Sequence, residues 1–84
     1  MEDEMEEIKE LLQLDEEQAK RVSSLVERST YVSGRDSHKG EFKLTFLDAD
    51  FIVLDIMTFN HSDTDCIEAT VKIDKRLREK QIAV

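Results

Sequence analysis

The spacing of apolar positions changes period partway along the chain. From Glu2 to Tyr31, Met5, Ile8, Leu12, Ala19, Val22 and Val26 fall on one helical stripe, with Leu11 and Leu25 on its flank. Asp15 interrupts that stripe, and two readings follow. Either one long helix carries a carboxylate in its apolar seam, or Asp15 starts a second helix. Asp15-Glu16-Glu17-Gln18 has the form of a capping box, and Leu14 and Ala19 are spaced as a hydrophobic staple. The pair, over about 3–13 and 16–31, is therefore preferred. A single uninterrupted seam would instead offer a coiled-coil surface.

Ser33 to Gly40 is polar and holds the chain's only two glycines, which predicts a loop over 33–40. Beyond it the period becomes two. Phe42, Leu44 and Phe46 alternate with Lys43 and Thr45, predicting a half-buried strand at about 41–47. Asp48-Ala49-Asp50 reads as a turn, 51–59 as a second strand and 61–65 as another turn. In 66–73, Ile67, Ala69, Val71 and Ile73 alternate with Glu68, Thr70 and Lys72, predicting a third strand. Short connections make these an antiparallel meander in the order 1-2-3. Residues 75–84 fit either a few helical turns or a continuation of the third strand. The expected architecture is one α+β domain spanning residues 1–84, with a helical segment over 2–31 packed on a three-stranded antiparallel sheet. Its 84 residues suffice for one domain but not for two.

The expected middle strand is apolar on both sides. Ile52, Leu54 and Ile56 point one way, while Phe51, Val53, Met57 and Phe59 point the other, with Asp55 among them. Burying a large apolar side chain contributes roughly 1.5–3 kcal/mol, so a wet stripe of four is costly in so small a domain. Three covers are open: the N-terminal helix, the final Ile82-Ala83-Val84, or a second molecule. Under the last of these, Phe51, Val53, Met57 and Phe59 form an interface with a copy of the chain or with a target.

Charge narrows the choice of target. Twenty acidic residues against twelve basic ones leave −8, and residues 1–17 hold nine of the acids. Part of that run is explained by carboxylates favouring helix starts. The remaining field opposes direct binding to nucleic acid or to an anionic membrane and favours a basic protein partner. The candidate docking carboxylates are Glu2, Asp3, Glu6, Glu7, Glu10, Glu16 and Glu17, joined by Asp48 and Asp50 at the first hairpin turn. Cys66 is alone, so no intramolecular disulfide forms. The start Met1-Glu2-Asp3-Glu4 is the reverse of a secretory signal, and the longest apolar run, Phe51 to Leu54, is too short to span a membrane. A cytoplasmic protein is expected.

No constellation points firmly to catalysis. His61, Asp63, Asp65 and Cys66 lie within six residues, with His38 in the other loop, yet their spacing follows no familiar zinc framework. They read as a solvated turn leading into a strand. Asp48 and Asp50 are ordinary turn residues with no lysine or arginine beside them. The 34–40 segment lacks the order of a phosphate loop, since Lys39 precedes Gly40 and Glu41 follows. The expectation is a non-enzymatic protein-binding domain with no metal and no cofactor: a small acidic regulator or inhibitor docking on a basic, nucleic-acid-associated protein. The alternative is a homodimeric structural or assembly module whose acidity serves solubility.

Overall fold

A computed structural model of the chain describes residues 4–37 and 40–82. Its elements run α1 (Glu4–Leu12), α2 (Glu16–Arg28), β1 (Tyr31–Asp36), β2 (Phe42–Leu47), β3 (Val53–Phe59) and α3 (Thr64–Ile82). The strands form one antiparallel sheet in the order β1-β2-β3. Side chains from all three helices join one face of that sheet in a single core. The fold is thus the expected α+β arrangement, with a helix pair and a meander.

The break between α1 and α2 is written locally. Beyond α1, Gln13 adopts φ 56°, Leu14 N–H donates to Lys9 O at 2.9 Å and Gln13 N–H donates to Glu10 O at 3.2 Å. This is a Schellman stop with glutamine in the left-handed position, and it turns Leu14 into the core. Asp15 then starts α2. Its carboxylate accepts from Gln18 N–H at 2.8 Å, and the Gln18 side chain accepts from Asp15 N–H at 3.2 Å. No glycine ends α2. Instead Lys80, from the far end of α3, donates to the carbonyls of Val26, Glu27 and Ser29 at 2.5, 2.8 and 3.4 Å. A cation there also meets the negative end of the helix dipole.

Five expectations are corrected. Tyr31 begins β1 and does not end a helix, and Ser33 to Asp36 belong to that strand and not to a loop. Residues 66–73 are helical, and the tail continues the same helix to Ile82. The 51–59 segment supplies the edge strand β3, while β2 is the middle one. Met57 and Phe59 lie in the core, 3% and 6% exposed, so neither contributes to an open interface. The expected cover by Ile82, Ala83 and Val84 rests on side chains outside those described.

Register explains the two faces. Gly34 pairs with Leu44, which pairs with Met57; Val32 pairs with Phe46, which pairs with Asp55. These residues point toward the helices. Between Phe46 and Leu47 the register slips, so Leu47 pairs with Val53 and Leu54 is the extra residue of a bulge. The slip reverses the parity of β3: Met57 and Phe59 turn inward, and Val53 and Ile56 turn outward. Gly34 permits the close seat of α3 on β1, because a Cβ there would lie 2.6 Å from Thr70 Oγ1 and 2.7 Å from Phe42 Cζ.

Candidate protein-docking face

The sheet face opposite the helices carries three cross-strand rows. Tyr31, Leu47 and Val53 form the first, Ser33, Thr45 and Ile56 the second, and Arg35, Lys43 and Thr58 the third. The Asp48–Ile52 turn extends the first row. It places Phe51 against Tyr31, with ring centroids 4.6 Å apart and planes 9° from parallel. Large apolar side chains therefore gather at one end of an uncovered face: Phe51 is 66% exposed, Ile52 60%, Val53 48% and Ile56 43%.

The turn presenting Phe51 is held firmly. Asp48 accepts from the N–H groups of Asp50 at 2.8 Å and Ile52 at 3.0 Å, and Phe51 N–H donates to Asp48 O at 3.0 Å. Phe51 sits at φ 62°. That region favours glycine or asparagine, and a bulky residue there costs roughly 1–2 kcal/mol. The turn thus holds an aromatic ring in a strained position and displays it to solvent. Such strain concentrates at functional surfaces.

The opposite end of the face is cationic. Arg35 and Lys43 are direct cross-strand neighbours, and like charges in that relation repel. Neither forms an ion pair with a described residue.

Of the residues expected to form the apolar interface, Phe51 and Val53 are on this face and Met57 and Phe59 are not. Sequence reasoning missed Tyr31, Ile52 and Ile56 as members. Only the aromatic Tyr31 beside a polar strand hinted at one of them. A smaller exposed pair, Ile67 and Val71, lies one turn apart on α3.

The expected acidic face is in part turned to internal use. Glu7 lies 3.7 Å from Lys72 and Glu4 lies 3.4 Å from Arg76, tying α1 to α3; Glu16 meets Lys9 at 2.9 Å. Asp48 holds its own turn. Glu6, Glu10, Glu17 and Asp50 remain exposed without an ion pair to a described residue. Glu2 and Asp3, like His38 and Lys39, lie outside the described residues.

Asp55 projects toward α2, where Arg21 grips it with two hydrogen bonds of 2.7 Å. The guanidinium, together with the Ile56 N–H, holds the carboxyl below its ordinary 3.8, and burial opposes this only in part. A depressed folded pKa gives stability that is present above the ordinary value and lost as pH falls through the folded one. Because the pair is partly solvated, its contribution is about 1 kcal/mol or less. Asp55→Asn is therefore expected to lower stability slightly at neutral pH and to flatten the acid limb of unfolding below about pH 4. Urea melts of both proteins across pH 2–6 check this; an acid limb of unchanged slope would refute it.

At the β3–α3 connection the structure gathers three side chains that the sequence left as a plain turn. His61 Nδ1 lies 3.6 Å from Asp63 Oδ2 and 3.5 Å from Cys66 Sγ. Cys66 was expected to begin a strand; it sits in the first turn of α3 and is fully buried.

No family model matches the chain, and neither a curated protein nor a solved structure is similar to it. Among the described residues, no helix is long and apolar enough to cross a membrane.

Proposed function

We propose that the chain is a non-enzymatic, cytoplasmic protein-binding domain, a small acidic regulator that holds a basic, nucleic-acid-associated protein against its uncovered sheet face. The observation that supports this reading is the exposed cluster of Tyr31, Phe51, Ile52, Val53 and Ile56, with Phe51 kept in a strained backbone state. Apolar area of this kind slows release of a partner, while the net charge of −8 draws cationic proteins in. The footprint is confined at one end. Arg35 and Lys43 repel a cationic partner, which leaves the apolar end and the neighbouring Asp50 as the landing area.

Phe51→Gly is the most informative variant, because glycine relieves the left-handed strain while removing the exposed ring. Combined with Ile56→Ser, it is expected to keep the fold, with stability within about 1 kcal/mol of the parent. It is also expected to weaken a partner captured from host extract at least tenfold, as loss of a buried aromatic anchor does. The parent complex is expected to weaken with added salt, because the long-range attraction is screened. Unchanged affinity in the double variant would sink the docking face. Sedimentation gives the alternative its test: a parent dimer that the double variant makes monomeric would assign the same face to self-assembly.

A further inference from the structure

We propose that His61, Asp63 and Cys66 form a binding site for one zinc ion at the N-terminus of α3. Three different donor types converge there, with one ligand atom from each lying within 4.8 Å of the others. Bonds of about 2.3 Å to sulfur and about 2.0–2.2 Å to nitrogen or oxygen set the edges of a zinc tetrahedron. The sulfur–nitrogen edge is then about 3.5 Å and the nitrogen–oxygen edge about 3.4 Å. The observed separations are 3.5 Å for Cys66 Sγ to His61 Nδ1 and 3.6 Å for His61 Nδ1 to Asp63 Oδ2.

Hydrogen bonding accounts for the thiol, which donates to His61 O at 3.4 Å and lies within sulfur hydrogen-bond range of His61 Nδ1 at 3.5 Å, but not for the carboxylate. Nδ1 is a single ring nitrogen facing both a thiol and a carboxylate. The 3.6 Å gap to Asp63 is beyond a proper hydrogen bond. A cation between the three groups would serve all of them at once.

The supports expected around such a site are present. Asp63 Oδ1 accepts from Cys66 N–H at 3.2 Å, which fixes the carboxylate and leaves Oδ2 for the ion. The buried Phe59 ring stands beside His61 at 6.3 Å between centroids, an apolar wall on that side. Ser62, between two of the ligands, hydrogen-bonds to Asp36 at the end of β1. The Asp36 and Asp63 carboxylates both bring negative charge near the Cys66 thiol. Thiolate, imidazole and carboxylate together suit zinc better than magnesium or calcium, which prefer oxygen donors alone.

The ion would tie the β3–α3 turn to the first turn of α3, a useful staple where the core is small. Cobalt(II) is the probe. The full chain, stripped with chelator, is expected to take up one equivalent and to show a thiolate-to-cobalt charge-transfer band with tetrahedral d–d intensity, displaced by zinc. His61→Ala is expected to weaken binding at least tenfold, since even outer-shell changes cost that much. Asp63→Asn retains a helix-capping side chain, so it separates ligand loss from misfolding, and it is expected to weaken binding likewise. Zinc is expected to raise the melting temperature of the parent but not of His61→Ala. A six-coordinate, aqua-like cobalt spectrum in the parent would overturn the site, as would equal zinc stabilisation of parent and His61→Ala.

Discussion

Replacing Gly34 with valine is expected to destabilise the domain by about 3 kcal/mol, the upper range for forcing extra atoms into a tightly packed contact. For a chain of this length that corresponds to a fall in melting temperature of at least about 12 °C. The cause is the close approach of helix and sheet. A Cβ at Gly34 would meet Thr70 Oγ1 at 2.6 Å, Phe42 Cζ at 2.7 Å and Thr70 Cγ2 at 2.9 Å. None of these gives way cheaply. Phe42 is buried, and Thr70 Oγ1 is already bonded to Cys66 O at 2.9 Å. The smaller Gly34→Ala carries the same clash with less bulk, and Thr70→Ala removes two of its three opposing atoms. The pair is therefore expected to be less destabilising than the sum of its members, a coupling that a double-mutant cycle read by urea melts detects. A valine variant as stable as the parent would mean that α3 does not rest on β1.

The same contact explains why β1 was hidden from the sequence. A strand is recognised by alternating apolar residues, and Tyr31-Val32-Ser33-Gly34-Arg35-Asp36 offers only Val32 and Gly34 to the core side among its first four positions. The strand has no fully buried residue, only half-buried Val32, and its contact with α3 is a threonine side chain settling onto a glycine, which leaves no hydrophobic signature. The helix pair was legible because its signals are local: the Asp15–Gln18 capping box is complete within four residues. The alternation of β2 was legible for a related reason, since Phe42, Leu44 and Phe46 are all buried against neighbours on the same face.

The exposed apolar face was only half legible, and the bulge accounts for the difference. Strict alternation from Phe51 to Phe59 puts Phe51, Val53, Met57 and Phe59 on one side. Leu54, the unpaired extra residue, shifts the parity of everything before it. Only pairing with β2 shows that shift. The inference that β3 had apolar side chains to spare was sound, but the spare ones are Val53 and Ile56 beside Phe51. The His61–Asp63–Cys66 cluster was hidden differently. Its residues were all noticed, but their convergence depends on α3 beginning at Thr64 and bringing Cys66 back over His61 in one turn.

The largest departure, a helix where a strand was expected, has a direct test at Val71. Ile67, Val71 and Ile73 gave residues 66–73 their appearance of alternation. In the structure Cys66, Ala69, Ile73 and Leu77 form the buried stripe at spacings of three and four, and Val71 is 61% exposed. A substitution at Val71 therefore acts on the backbone with little disturbance of packing. Val71→Pro removes a helical N–H donor and crowds the carbonyl one turn back, a cost of about 3 kcal/mol or more in a helix interior. The cost should be felt by the whole domain. The half of α3 beyond this point carries Ile73 and Leu77 into the core and Lys80 onto the end of α2. Val71→Ala is expected to do the opposite, stabilising by about 0.5 kcal/mol through helix propensity alone. The strand reading, which turns Val71 inward, predicts a different result: alanine would weaken the domain instead of stabilising it. Thermal melts followed by circular dichroism distinguish the two cases, because only a helix through Val71 gains from alanine what it loses many times over to proline.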